Sequence, residues 1–340
     1  MTMRSGSSAA APAGTLSAFQ RLCLVAGAVI FGLIVLGGVV RATDSGLGCP
    51  DWPRCHGSFI PQWEKHTLIE YSHRLTASVA GLLVLAVAVA AWRAYRRVPA
   101  VLYPATLAFA LLILQAGLGG LAVVNELPPE IVTVHLGLAL AILTLIGLTL
   151  LASVNLSRPI PRPAVLPQGK DAFGRLALLA SGATLALMLV GAYVAGAGYG
   201  LACSGWPLCN DEVVPSAGAA SVQVHFAHRL LALALGLVLL VLAWRGWRER
   251  ARAPFEAAVA GLALGLYVLQ ALVGAANIWT RLADEASAAH LALGTLLWLV
   301  LAFLNGHVHR LYELPALSRQ AASRPDPSTG PGQGFAGAPR

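Results

Sequence analysis

Long apolar runs are the feature that most constrains how this chain can fold. Eight runs approach the roughly 20 residues that an α-helix needs to cross a bilayer, and short polar segments separate them. Only 11% of the 340 residues are charged, whereas soluble domains carry about 25%. The sequence therefore predicts an all-α integral membrane protein with eight transmembrane helices. The expected spans are 22–40, 75–92, 98–124, 131–154, 176–197, 230–244, 255–279 and 286–304.

The sixth span is short, and we expect its helix to extend outward through His228.

Basic residues are concentrated after the second span, between the fourth and fifth, and after the sixth. By the positive-inside rule these loops and both termini are cytoplasmic, or on the matrix side in a mitochondrion. The net charge of +8 does not indicate nucleic-acid binding, because no basic stripe is interleaved with aromatic residues. The basic residues of these loops are Arg93, Arg96, Arg97, Arg158, Arg162, Lys170, Arg175, Arg245, Arg248, Arg250 and Arg252.

The two halves of the chain repeat each other. Residues 46–55 and 200–209 share the pattern GL-x-C-x-x-W-P-x-C, and a histidine pair follows each with the same spacing of 62 positions (135 − 73 and 290 − 228). Each half holds four spans, so both insert in the same direction. We expect two tandem four-helix bundles, 17–165 and 166–312, related by a pseudo-twofold axis along the membrane normal. Disordered tails are expected at 1–16 and 313–340, since they are rich in small and polar residues.

Four histidines are the candidate metal ligands: His73, His135, His228 and His290. Each is expected at the outer start of an even-numbered helix, so the two histidines of one half lie at a similar depth. Facing imidazoles in a helix bundle are a suitable axial pair for haem iron. A lone histidine at a helix end is more often solvated, but the duplicated pattern favours a ligand role. Zinc or copper is the third interpretation, although each half offers few further ligands.

The first half carries more charge near its histidines than the second. Glu70 precedes His73 by three positions, so both side chains share one helical face. The repeat partner of Glu70 is His225, which is not an acid. We interpret Glu70 as a carboxylate that exchanges protons with a reacting group, and Asp44 as a solvated loop charge.

Four cysteines lie in the predicted outer loops, where an oxidising environment favours disulfides. Duplication favours pairing within each loop, Cys49 with Cys55 and Cys203 with Cys209, among the three connectivities that four cysteines allow. A structural role, a thiol redox relay and a four-cysteine zinc site are the alternatives. The last is disfavoured by the wide C-x₅-C spacing. Cys23, in the first span, is expected to be an inert buried residue.

These motifs resemble the haem A synthase family, in its cysteine-containing bacterial form, from about residue 20 to 310. The resemblance is carried by GGVVRATDSGLGCPDWPRC, EYSHR, VHLG, GLACSGWPLC, HFAHR and AHLALG. It implies oxidation of a ring methyl of haem O to a formyl group, which gives haem A for terminal oxidases. It also implies that His73 and His135 flank the substrate haem, with Glu70 as the acidic residue, and that His228 and His290 hold a resident haem b.

The resemblance further implies a bacterial cytoplasmic membrane location with the cysteine loops outside. A haem O synthase is the expected partner, within the assembly of terminal oxidases. Two other classes remain open: a di-haem electron-transfer cytochrome, and a haem transporter or chaperone. A transporter predicts broken helices at mid-membrane, for which Gly119–Gly120 is the nearest candidate. The sequence leaves open whether the chain forms a homo-oligomer.

Overall fold

Eight long α-helices make up the computed structural model, which describes residues 15–61, 63–161, 163, 170–216 and 218–313. Every helix is long and apolar enough to cross a membrane, which confirms the predicted all-α membrane fold. Extended structure in the described ranges is limited to two isolated β-bridges, Cys55–Ser58 and Cys209–Glu212. The helices are α1 (Ala18–Ala42), α2 (Lys65–Ala94), α3 (Pro99–Val124), α4 (Pro129–Ser157), α5 (Lys170–Gly196), α6 (Ala220–Arg248), α7 (Pro254–Trp279) and α8 (Asp284–Val308).

The helix starts follow from local sequence signals. Ser17 and Gln20 form a capping box at α1, in which each side chain accepts a hydrogen bond from the backbone N–H of the other. Helices α3, α4 and α7 each begin with a proline, which is pre-set for the first helical turn and lacks an N–H that would remain unpaired there. Helix α6 includes His228, as expected, and α2 begins ten positions earlier than the predicted span.

Each half forms its own bundle with its own core. Helices α1–α2, α2–α3, α3–α4 and α4–α1 pack against one another, and α5 to α8 repeat the same ring of contacts. One buried apolar cluster fills the first ring and a second fills the other. The predicted tails, apart from residues 15, 16 and 313, and the predicted boundary at 165–166 lie outside the described residues. The pseudo-twofold axis stays a prediction.

The two bundles meet through α1–α8, α4–α5 and α4–α8. Gly38 lies so close to α8 that a Cβ added there would be 2.9 Å from Cδ2 of Leu291. Trp298 Nε1 donates a hydrogen bond to Thr144 Oγ1 at 3.0 Å across the α4–α8 contact. Small residues and interhelical hydrogen bonds are the usual means by which helices associate in lipid, so the halves are joined by contacts suited to a membrane.

Candidate functional site

The four candidate histidines lie six to eight residues inside the even-numbered helices, and each faces a glycine of the preceding helix. The pairs are Gly37 with His73, Gly119 with His135, Gly191 with His228, and Gly274 with His290. A Cβ added at these glycines would lie 3.3, 3.2, 2.9 and 3.1 Å, respectively, from the nearest imidazole atom. Each glycine therefore provides the space that its imidazole occupies between two helices.

The imidazole of His73 is oriented differently from the other three. Its Nε2 and Cδ2 atoms face Gly37, whereas the Cε1 and Nδ1 edges of His135, His228 and His290 face their glycines. The Nδ1 atoms of those three are buried and make no hydrogen bond of ordinary geometry. The two halves thus differ at the first histidine of each pair, which follows the disulfide loop of its half.

One glutamine packs beside the second histidine of each half. Gln115 Nε2 donates to the backbone carbonyl of His135 at 3.0 Å, which ties α3 to α4 at the level of the imidazole. A Cβ added at Gly294, one turn after His290, would lie 3.3 Å from Gln270 Nε2. The Oε1 atoms of Gln115 and Gln270 are buried without a protein partner, so each half has hydrogen-bonding capacity left at this level.

Glu70 is buried in α2 and forms an ion pair with Arg74. Its Oε1 accepts a hydrogen bond from Arg74 Nε at 2.8 Å, and the side chains are 6% and 16% exposed, respectively. The acid is therefore not a solvated loop charge. Asp44 is one, because its side chain is 85% exposed and pairs with Arg41 at 3.0 Å.

The remaining donors of Arg74 bind the first outer loop. Nη1 donates to the carbonyls of Asp51 and Arg54, at 2.7 and 2.9 Å, and Nη2 donates to that of Cys49 at 2.6 Å. Charge-assisted hydrogen bonds of this length are among the stronger ones in proteins. The side chain that follows His73 therefore connects the outer loop to Glu70.

The second half repeats the loop contacts without the acid. Arg229 donates to the carbonyls of Cys203, Gly205 and Leu208 at 2.7–2.9 Å. His225, at the position of Glu70, accepts a hydrogen bond on Nδ1 from the Cys203 N–H at 3.3 Å. Both loops are fixed to the helix below, but only the first is connected to a carboxylate.

Both loops are closed by disulfides. Cys49 is bonded to Cys55 and Cys203 to Cys209, each with a Cα–Cα distance of 4.6 Å, as predicted from the duplication. Within the described residues Cys23 is buried and unpaired. In the first loop the N–H groups of Gly57 and His56 donate to Asp51, and these hydrogen bonds hold the pKa of its carboxyl below the usual value.

Aromatic side chains seat the loops on α3 and α7. A Cβ at Gly120 would lie 2.8 Å from Cδ2 of Trp52, so the indole lies directly on the helix backbone. Trp206 makes an edge-to-face contact with Trp279, with ring centroids 5.7 Å apart. Gly119 and Gly120 lie inside the continuous helix α3. The glycine pair is not the helix break that a transporter would predict; it admits His135 on one side and Trp52 on the other.

Comparison with known proteins matches this sequence to one family. A family model described as cytochrome oxidase assembly protein matches residues 20–302. The chain belongs to the haem A synthase family. It is 33% identical to a heme A synthase of Symbiobacterium thermophilum over 307 residues, 85% of this chain and 95% of the relative. It is 33% identical to one of Shouchella clausii over 265 residues (77% and 87%) and 31% identical to one of an Exiguobacterium strain over 299 residues (86% and 94%).

The residues of this haem A synthase family member fit a haem held by two histidines. Each half brings two half-buried imidazoles into one bundle, with a glycine cradle behind each ring. The described part of the chain gathers no group of three or more His, Cys, Asp or Glu residues that would suit zinc. A pair of imidazoles without a third protein ligand suits an iron whose remaining positions a porphyrin fills.

Sequence reasoning selected the histidines and Glu70 as candidates and predicted the disulfides correctly, but it missed two features of this family member. Arg74 directly follows His73, and Arg229 holds the equivalent repeat position after His228, but neither was selected as a site residue. The presence of this arginine in both repeats is the signal that could have identified it. The four glycines carried no signal of their own, because their role depends on which helices pack together.

Proposed function

We propose that this protein is a haem A synthase, a membrane oxidoreductase that converts haem O to haem A for terminal oxidases. The observation that carries the proposal is the asymmetry of two otherwise repeated histidine sites. Both halves have an imidazole pair and a clamped disulfide loop, but only the first has a buried carboxylate one helical turn from a ligand position. Family membership supplies the chemistry that this asymmetry serves.

The substrate haem binds in the first half, between His73 and His135. Oxidation of the ring methyl through the alcohol to the aldehyde is a four-electron change, so it would need an external oxidant: dioxygen, or an electron acceptor with water as the oxygen source. When bound, the porphyrin would supply the redox chemistry that connects the methyl carbon to that oxidant. Glu70 lies on the same face of α2 as His73 and is held by Arg74. Its carboxylate stabilises positive charge that develops at the reacting carbon, or accepts the proton that the carbon releases.

The second half binds a resident haem b between His228 and His290. Its pocket has no acid at the Glu70 position, and His225 is used to hold the loop. This half therefore suits a permanent cofactor that passes electrons or stabilises the bundle rather than a substrate that reacts. The two disulfides are structural, because each closes the loop whose carbonyls an arginine binds.

The protein lies in a bacterial cytoplasmic membrane, with the cysteine loops outside and both termini in the cytoplasm. The distribution of arginines supports this orientation. A haem O synthase is the partner that supplies the substrate, and the product serves terminal oxidase assembly.

Co-expression with a haem O source, followed by chromatography of the extracted haems, tests the proposed activity. We expect haem A in cells with the wild-type protein and a much smaller but measurable amount in Glu70→Gln, which keeps the side-chain volume but removes the charge. Asp44→Asn is the matched control, because it removes an exposed carboxylate of the same half and should leave conversion unchanged. A haem-loaded wild-type protein that leaves haem O unaltered would support electron transfer or haem carriage instead.

Two histidine variants test the assignment of the halves. His228→Ala should remove the absorption spectrum of the resident haem from the purified protein. His73→Ala should keep that spectrum and lose conversion of haem O. If His73→Ala also removed the resident spectrum while His228→Ala kept it, the assignment would be reversed.

A further inference from the structure

On the basis of the proposed function, we propose that Arg74 is a positioning residue through which the first disulfide loop sets the position of the Glu70 carboxylate. The guanidinium group is planar and rigid, with donors on both sides of its fork. In Arg74, Nε donates to the Glu70 carboxylate, and Nη1 and Nη2 donate to three backbone carbonyls of the loop.

The loop carbonyls that Arg74 binds all lie inside the ring that the disulfide closes. Cys49, Asp51 and Arg54 present their oxygens at 2.6–2.9 Å from the two terminal nitrogens, and the Cys49–Cys55 bond encloses that segment. A displacement of this segment therefore reorients the whole guanidinium plane. Since Nε belongs to the same plane, the hydrogen bond to Glu70 moves with the loop.

An ion pair between Glu70 and Arg74 needs no loop by itself, because positions i and i+4 are neighbours on a helix. What the loop adds is orientation. Both side chains are largely buried, and a flexible pair at this site would sample several rotamers. Three carbonyl acceptors hold the guanidinium in one of them, so the carboxylate is presented in one direction beside His73.

The second half provides an internal control. Arg229 binds its disulfide loop through Nη1 and Nη2 in the same way, but no carboxylate occupies the position of Glu70. An arginine thus binds the disulfide loop in both halves, but only Arg74 also binds a carboxylate. A purely structural arginine would be equally important in both halves, whereas a positioning residue would affect conversion from the first half only.

The test variants are Arg74→Gln, Arg74→Lys, Glu70→Gln and the double variant Glu70→Gln/Arg74→Gln. The control variants are Arg229→Gln and Arg229→Lys, and all are made in the full-length, haem-loaded protein. Conversion of haem O is measured in co-expressing cells, and amide hydrogen exchange of the two loops is measured on purified protein. Misplacement of a reacting group by about 1 Å can cost about 100-fold in rate, so we expect Arg74→Gln to slow conversion about 10- to 100-fold. Arg74→Lys keeps the charge but cannot bridge loop and acid, and should slow conversion about 10-fold. The Arg229 variants should loosen residues 203–209 while conversion stays within about threefold.

Two readouts separate positioning from mere structural support. If Arg74 acts through Glu70, the double variant should convert haem O no more slowly than Glu70→Gln alone. Coupling is also reciprocal, so Glu70→Gln should raise exchange of the amides at 49–55, whether or not haem A is formed. Losses that multiply in the double variant, or full activity in Arg74→Lys with a loosened loop, would overturn the inference. A wild type that makes no haem A refutes the proposed function. In that case unchanged loop exchange in Glu70→Gln would refute the coupling as well, and raised exchange would retain it.

Discussion

At the residue scale, the four glycines that lack a side chain are as important as the four candidate histidines that they face. Each candidate histidine packs on a glycine, and the contact distances for an added Cβ, 2.9–3.3 Å, are shorter than ordinary van der Waals contacts. Because the glycines lie on helix backbones, the imidazole rather than the backbone would have to move. The glycines therefore help to fix where the imidazole nitrogens, the proposed iron ligands, lie.

Gly191→Ala tests this packing at the site proposed to hold a resident haem. The new methyl group would approach Cε1 of His228 to 2.9 Å, and overpacking of this kind costs about 1–3 kcal/mol. We expect the purified variant to retain resident haem about 10-fold more weakly, measured by haem loss to a competing haem-binding protein.

Gly182→Ala on the same helix is the matched control, since an added Cβ there meets nothing within 4 Å. It should retain haem as the wild type does. Alanine also favours a helix over glycine by about 0.5–1 kcal/mol, so any stability change in the control should be a gain. Equal haem retention in both variants would show that the glycine does not set the imidazole position.

The limits of prediction from sequence are clearest in these contacts. His73, His135, His228 and His290 could be selected because the repeat places them in register. The glycines could not, because a chain with 35 glycines gives no sign of which four meet an imidazole until helix neighbours are known. Arg74 could not be selected either, because the sequence does not show that its guanidinium group binds several backbone carbonyls of the outer loop at once.

At the element scale, the outer loops are ordered extensions of the bundles. Each is closed by a disulfide, bound by an arginine and seated on a helix by tryptophan. The lengths of the apolar runs predicted the number of helices, because each helix that crosses the bilayer needs roughly 20 apolar residues. It did not predict the start of α2, since the first turns from Lys65 to Ser72 are largely polar and carry no signal on an apolar scale.

Gly120→Ala tests how the first loop is seated. Its methyl group would lie 2.8 Å from Cδ2 of Trp52, so the indole and the loop must move away from α3. We expect faster amide exchange at residues 49–55 and, if the loop orients Glu70, slower conversion of haem O. Gly117→Ala, three residues earlier on α3, meets nothing within 4 Å and should change neither. Unchanged loop exchange in Gly120→Ala would mean that Trp52 does not anchor the loop.

At the scale of the whole molecule, the two halves share one pattern of helix contacts and differ in the residues beside their candidate haem sites. Both halves contain the same ring of helix contacts, two histidine–glycine pairs and an arginine that binds the disulfide loop. Glu70 and His225 mark where the halves diverge. A haem site that holds a cofactor permanently and one that releases a product have different requirements, and two copies of one bundle allow each to be met separately.

The orientation of the repeat can be tested with single cysteines at the ends of α2 and α6. A parallel repeat with the disulfide loops outside places Glu64 and Ala219, which directly precede these helices, on the outer side. Arg96 and Arg250, which follow them, lie inside. We expect Glu64→Cys and Ala219→Cys to react with a membrane-impermeant maleimide in intact cells, and Arg96→Cys and Arg250→Cys only after permeabilisation. The native cysteines do not interfere, because four are in disulfides and Cys23 is buried. Labelling of Glu64→Cys but not Ala219→Cys in intact cells would make the repeat inverted, and the two histidine pairs would then lie at opposite faces of the membrane instead of sharing one depth.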